Sequence, residues 1–351
     1  MRVLSLAAMM SLAAAACGGG DGAATDGPPI DAHPDAPIDS PPAPDARLID
    51  GPLMPQTLAE TGLYSDFANE VIAPGVKAYE PSYALWSDGA TKNRWVYLPP
   101  GSQIDTSDPD FWVYPRGTKL WKEFSVGGVR VETRLIYKTG PQPTDWYMMA
   151  YAWNEDQTEA VAEMYGVKDA LGTSHDIPSQ NECKMCHSPM PDRVLGFSAL
   201  LLDHGGSGVT LDSLIADGRL SAVPPGAQSP HYPIPGDAAA QAALGYLHSN
   251  CSGCHNSESP VFASKTPLNL RLTVGALATV ELTPTYMTAV GVDPKFDWQD
   301  TTAIIEAGAP DASALYSRMG YRGGNGQMPP VCTEDPDDDG RAIIAAWITS
   351  L

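Results

Sequence analysis

Two stretches of this chain hold residue types suited to thiol and metal chemistry. Cys183-Lys184-Met185-Cys186-His187 and Cys251-Ser252-Gly253-Cys254-His255 repeat one pattern, C-x-x-C-H. Two thiols at this spacing reach the two vinyl groups of one porphyrin and form thioethers. The histidine directly after the second cysteine then falls beneath the ring, where an imidazole nitrogen takes an axial place on iron. This is the attachment signature of a c-type haem, so the sequence predicts two covalently bound haem c groups. Cys183, Cys186, Cys251 and Cys254 are the expected attachment residues, and His187 and His255 the expected iron ligands.

Three other uses of paired cysteines fit less well. Structural zinc is held by C-x-x-C pairs about 15–20 residues apart, whereas positions 187–250 lie between the pairs here. A thioredoxin-like redox motif needs one C-x-x-C near a βαβ pattern, and the chain shows no such pattern. Disulfides would account for the cysteines but not for the histidines. With 7 His in 351 residues, both motifs end in His by chance with a probability on the order of 4 in 10,000.

A haem iron with a proximal His needs a second axial group to be six-coordinate. A Met thioether fits a site that cycles electrons at raised potential. Met328, in Gln327-Met328-Pro329-Pro330, is the candidate for the second haem. It follows one C-x-x-C-H and precedes an amphipathic terminal helix, and the prolines fix an extended loop around it. Across from the first haem the candidates are His204, His175, His231, His248, Met190 and Met164. His204, at the end of the apolar run Phe197–Leu202, is preferred. Met190 is too near His187 in sequence to cross the ring, and His248 is expected on a helix surface. An empty position would let a small molecule such as peroxide reach iron.

The elements that must position these residues fall into successive regions. Met1-Arg2 followed by an apolar run to Ala16 reads as a signal peptide over 1–17, too short to anchor as a span. Ala14-Ala15-Ala16-Cys17 is a loose lipoprotein cleavage site, with Cys17 the lipidation residue; an ordinary cleaved signal peptide is the other reading. Both predict export, to the periplasm or as an outer-membrane-associated lipoprotein. Residues 18–55 are an Asp/Pro-rich, disordered tether, and His33 within it has no expected role. Residues 56–175 alternate with period two, as in Val129-Arg130-Val131-Glu132-Thr133-Arg134-Leu135, and Gly127-Gly128 marks a hairpin. Further strands are read at 94–98, 120–124 and 146–151, which predicts an antiparallel sandwich or roll with an aromatic-rich core. Residues 176–236 form the first haem segment, with Pro178-Ser179 opening a short helix and a packed helix over 197–204. Residues 237–351 contain a helix over 238–250 and a terminal helix whose stripe is Ile343, Ile344, Trp347, Ile348 and Leu351. The fold class expected is therefore α+β: an antiparallel β-rich N-terminal domain followed by a mainly α-helical, cytochrome c-like haem region.

The net charge of −21 argues against nucleic acid or an anionic surface as partner. It permits an unidentified redox partner protein, with membrane contact only through the N-terminal lipid anchor. Cys332 is left over: a buried thiol is the preferred reading, an iron ligand or a reactive site the others.

Residues 237–351 resemble a class I cytochrome c domain: helix, C-x-x-C-H, Met-Pro loop and closing helix with Trp347. The longer stretch 57–351 resembles a family of uncharacterised bacterial exported dihaem c-type cytochromes. The residues that carry this are Leu58-Ala59-Glu60-Thr61-Gly62-Leu63, Leu85-Trp86-Ser87-Asp88-Gly89-Ala90, Val131-Glu132-Thr133-Arg134-Leu135, Trp153-Asn154-Glu155-Asp156-Gln157-Thr158, both haem motifs and Met328-Pro329. The resemblance implies a β-rich portion fused to a cytochrome portion, and it brings no known reaction. The acidic run Glu334–Asp339 and Cys332 depart from the pattern. Electron transfer through two covalent haems is the function expected. A dihaem oxidoreductase, peroxidase-like or a small-substrate dehydrogenase with an open first haem, is the alternative, and a β docking module is a third idea. No pair of carboxylates stands out as an acid–base set, so no catalytic residue is assigned.

Overall fold

The period-two stretches fold as strands in the computed structural model, which describes residues 54–351. The expected signal peptide, Cys17, His33 and nearly all of the tether lie outside the described residues. A short ribbon comes first, β1 (Tyr64–Asp66) against β2 (Val71–Ile72). Then β3 (Val76–Ala78), β4 (Thr91–Tyr97), β5 (Lys119–Val126), β6 (Val129–Lys138), β7 (Trp146–Trp153) and β8 (Ala160–Glu163) pair antiparallel in chain order. The result is one six-stranded meander, not the sandwich or roll expected. Each strand meets its sequence neighbour, even where the connection is long, as over residues 98–118 between β4 and β5. Gly127 and Gly128 both take positive φ, 57° and 85°. A two-residue hairpin whose twist matches its strands demands such angles, and they place Val126 opposite Val129.

Alternation gives the sheet two unlike faces. On one, Trp121, Leu135, Met149, Tyr151 and Trp153 bury against Leu58, Leu63 and Tyr64. On the other, Val96 and Leu120 join a larger core that includes Phe197, Leu244, Leu247, Ile344, Trp347 and Ile348 from the helical part. Residues 54–351 accordingly form one compact unit.

The helical part has eight helices: α1 (Gln180–His187), α2 (Ala199–Leu202), α3 (Leu211–Ala216), α4 (Ala238–Asn250), α5 (Pro260–Ser264), α6 (Pro284–Ala289), α7 (Ala314–Gly320) and α8 (Asp338–Ser350). The described fold is α+β with antiparallel sheets. The helix expected over 197–204 is a single turn, since Asp203 leaves helical geometry and uses its carboxylate on the N–H groups of His231 and Tyr232. Caps set the other ends. Asp237 accepts from Ala240 to begin α4, and Asp337 accepts from Gly340 to begin α8. These two helices pack together, and Tyr246 Oη donates to Asp337 at 2.9 Å across the contact. Gly340 makes this approach possible, because a Cβ there would overlap the Tyr246 ring. Of the predicted α8 stripe, Ile344, Trp347 and Ile348 are fully buried, while Leu351 is exposed.

One buried ion pair ties the sheet to the segment that carries the first Cys-x-x-Cys-His motif. Lys138 of β6 pairs with Asp192, and both side chains are almost wholly buried. Asp192 also accepts the Tyr114 N–H at 2.6 Å and Trp146 Nε1–H at 3.0 Å. This carboxylate thus meets three donors, as burial of a charge requires.

Candidate haem-binding site

α1 positions the first motif. Ser179 and Glu182 form a reciprocal capping box: Glu182 Oε2 accepts from the Ser179 N–H and hydroxyl, both at 2.8 Å. Gln180 Nε2 donates to the Met148 carbonyl at 3.1 Å and fastens the helix to β7. Cys183, Cys186 and His187 then follow at i, i+3 and i+4, on one side of the helix.

His187 Nδ1 meets the Arg193 carbonyl at 2.5 Å. A carbonyl only accepts, so the proton is on Nδ1 and the Nε2 lone pair is left for an electrophile. A ring oriented in this way is what a metal-ligating histidine needs. Burial pushes the His187 pKa down to about 4. The imidazole is therefore neutral at pH 7.

The second motif continues from α4. Cys251 N–H donates to Leu247 at 2.9 Å and His255 N–H to Cys251 at 2.9 Å, so the helical turn persists through the motif. Asn256 Nδ2 closes the turn on the Ser252 carbonyl at 2.7 Å. His255 is neutral as well, lowered to about 4 by burial. Its Nδ1 is buried without a partner.

The structure brings the two motifs side by side. A Cβ on Gly253 would stand 3.8 Å from the Cys186 carbonyl oxygen. The Cys254 thiol is raised to about 11 by burial and then by the neighbouring Cys186. Burial likewise raises Cys183 to about 11, Cys251 to about 12, and Cys186. All four thiols are free, as is Cys332. Among the described residues no three His, Cys, Asp or Glu side chains gather as one metal site. A four-thiolate zinc centre needs that convergence. Two thiol pairs, each followed by a neutral imidazole, are the donors that two porphyrins would need, two thioethers and one nitrogen ligand apiece.

Met328 lies in the loop between α7 and α8. Its N–H donates to the Arg318 carbonyl at 3.1 Å, and Arg322 reaches its carbonyl at 3.4 Å. Gln327 braces the same loop through Pro329 and Thr333 carbonyls at 3.2 and 3.3 Å. The thioether is half-buried.

His204 is differently engaged. Its Nε2 donates to the Glu80 carbonyl at 2.8 Å, and its Nδ1 accepts the Gly206 N–H at 3.0 Å. Both ring nitrogens are spent on backbone. His231 is similarly held by Pro225 and Asp212, at 2.7 and 2.8 Å. His175 Nε2 meets Glu132 at 2.6 Å. Met164 is half exposed. Met190 is buried, with its sulfur 3.8 Å from Asn256 Nδ2 and 4.0 Å from Arg271. His248, expected on a helix surface, is 3% exposed and accepts the Leu272 N–H on Nδ1 at 3.0 Å. The segment 268–272 covers that side of α4, and no local pattern announced it. Cys332 is half-buried at φ 58°, near Arg134, Glu182, Cys186 and Cys183, and burial raises its thiol to about 12.

Sequence reasoning missed a basic row on the sheet. Lys92, Arg94, Lys122 and Arg134 share one face of the sheet, their charges act on one another, and those of Lys122 and Arg134 act on His187. Burial, then Arg94, Arg134 and Lys92, push the Lys122 amine well below the usual lysine range. The signal was present in alternate positions of three strands, but only their register reveals it. Compared with protein families, curated proteins and solved structures, the chain gives no match.

Proposed function

We propose that this chain is an exported dihaem c-type cytochrome that transfers electrons through haem groups on Cys183/Cys186 and Cys251/Cys254. The observation that carries the reading is the juxtaposition of the two C-x-x-C-H motifs, Gly253 lying against the Cys186 carbonyl. Redox groups held on motifs so juxtaposed would be near enough to exchange electrons. When bound, each haem supplies a one-electron Fe(III)/Fe(II) couple.

The chain's own residues divide the remaining work. The cysteine pairs fix the position of each ring. His187 offers Nε2, held in orientation by the Arg193 carbonyl. His255 offers a neutral imidazole from a buried turn. Met328 offers a thioether for the second iron, on a loop braced by Arg318, Arg322 and Gln327. Burial at both motif histidines lowers the local dielectric, a lever on potential.

A second reading is favoured by one observation. The ring nitrogens of His204 are both committed elsewhere, which leaves the first iron without its expected distal ligand. An oxidoreductase with an open first haem would use that position for a small molecule.

The test is a spectrum of the purified exported protein. Two haems per chain in the pyridine adduct are expected, falling to one covalent haem in Cys183→Ser/Cys186→Ser. Bound zinc in place of haem would end the reading. Carbon monoxide that leaves the reduced spectrum unchanged favours electron transfer alone; binding to half the haem favours the open site.

A further inference from the structure

Three cations stand directly opposite one another across the sheet. Arg94 of β4 pairs in register with Lys122 of β5, and Lys122 with Arg134 of β6. Lys92, on the same face of β4, stands opposite Phe124. Like charges at directly opposed positions destabilise a sheet. The chain has only 21 Lys and Arg against 42 Asp and Glu, so four cations converging on one patch need an account.

All but one surround a single ring. Arg134 Cζ is 4.2 Å from the Phe124 centroid, Lys92 Nζ 5.6 Å and Lys122 Nζ 6.0 Å. Cation–π contact gives each a modest attraction but cancels no charge. Among the described residues Glu132 is the one carboxylate in ion-pair contact with the row. It bonds Arg134 at 2.9 and 2.5 Å and His175 at 2.6 Å, which uses it fully. Lys92 Nζ has the Ala90 carbonyl at 2.8 Å. Lys122 Nζ makes no hydrogen bond or ion pair among the described residues. Arg94 is 5% exposed, and among the described residues its buried Nε has no partner and one terminal nitrogen has only the Lys92 carbonyl at 3.5 Å. Buried guanidinium donors left open carry a penalty that an anion removes. The row fronts the first motif: the Cys186 thiol is in the field of Arg134 and Lys122, and Cys183 in that of Arg134.

We infer that Arg94, Lys122 and Arg134, with Lys92, form a binding site for carboxylate or other oxyanion groups beside the first Cys-x-x-Cys-His motif. The oxyanion has two sources. One is the pair of propionates on the porphyrin that Cys183 and Cys186 would hold, which rests on the haem reading. The other is a small free anion drawn to that porphyrin's open side. In either case the β sheet acts as the first motif's counter-charge.

The experiment uses the whole exported protein, its Lys122→Met and Arg94→Gln variants, and Lys122→Arg as a charge-retaining control. Nitrite, sulfite and inorganic phosphate are titrated by calorimetry, and both haem midpoints are followed by potentiometry. Saturable 1:1 binding of a probe, weakened about tenfold or more in Lys122→Met and restored in Lys122→Arg, assigns the site to a free anion. No probe binding, with one midpoint lowered in Lys122→Met and Arg94→Gln and restored in Lys122→Arg, assigns it to the propionates. Folded variants with neither effect overturn the site. Should the chain carry no haem, the calorimetric arm alone decides, so failure of the haem reading and failure of the anion site are separable. Should one variant not fold, the other is read in its place, since the two alter different strands.

Discussion

Asn250, the last residue of α4 before the second motif, accepts the Trp86 N–H on Oδ1 at 2.7 Å. Its Nδ2 donates to the Ala84 and Tyr246 carbonyls at 3.1 and 3.2 Å. The same short strap reaches the loop after Met328: Trp86 Nε1 donates to the Asp335 carbonyl at 3.3 Å, and Asp88 Oδ1 accepts the N–H groups of Glu334 and Asp335, each at 3.0 Å. Residues 84–88 thus join the segment leading into Cys251 to the loop that presents Met328. Replacing Asn250 by Leu would leave the Trp86 N–H without an acceptor, at a cost of about 1–3 kcal/mol. Urea unfolding of Asn250→Leu should show that loss; an unchanged midpoint would remove the strap from the account.

Asp192 offers a harsher test. Asp192→Ala would leave Lys138 buried and unpaired, together with the Tyr114 N–H and Trp146 Nε1–H. Breaking such a pair costs about 3–5 kcal/mol, whereas replacing both partners by apolar residues of similar volume is far milder. The double variant Lys138→Met/Asp192→Leu should therefore unfold later in denaturant than Asp192→Ala. If the single variant proves the more stable of the two, the ion pair does not tie the sheet to the segment that carries the first Cys-x-x-Cys-His motif.

These two ties show where reading the sequence stops. The hairpin at Gly127-Gly128, the strands around 94, 121, 131 and 148, the helix over 238–250 and both C-x-x-C-H motifs are local patterns, and local patterns are legible. Periodicity also gave α8, with Ile344, Trp347 and Ile348 inward. Other features depend on residues far apart in the chain. Trp86 meets Asn250 and Lys138 meets Asp192 only once the chain has folded. The Arg94–Lys122–Arg134 row is set by strand register, and each cation alone looks like an ordinary outward charge. His248 failed for the same reason: its place on a helix just before Cys251 put it outside, and the segment 268–272 then covered it.

Gly340 sets the contact between α4 and α8. Alanine has the better helix propensity by about 1 kcal/mol, so Gly340→Ala at an open position would stabilise α8. Here the added Cβ meets the Tyr246 ring. Overpacking of this kind costs about 1–3 kcal/mol, and the helices must separate or Tyr246 must lose its bond to Asp337. Gly340→Ala should lower the thermal midpoint, and Gly340→Ala/Tyr246→Leu should recover part of it. A rise in the single variant would mean that the close approach is not needed.

His248 supplies a pH dependence with a definite sign. Burial, and then the Arg271 guanidinium, hold its pKa well below the ordinary value, which is about 6.5 for an unfolded chain. The folded protein therefore excludes a proton that the unfolded chain binds. Stability from the neutral ring is fully present above pH about 6.5 and is lost as pH falls toward the folded value, with a slope near 1.4 kcal/mol per pH unit for one proton. Gln at this position cannot titrate and can still accept the Leu272 N–H through its amide oxygen. Between pH about 5 and 6.5, above the range where most carboxylates titrate, His248→Gln should lose stability less steeply than the parent by that one-proton slope. Denaturant midpoints at half-unit intervals would show it. Parallel curves over the window would mean that His248 takes up its proton as readily in the folded chain as in the unfolded one, against its burial beside Arg271.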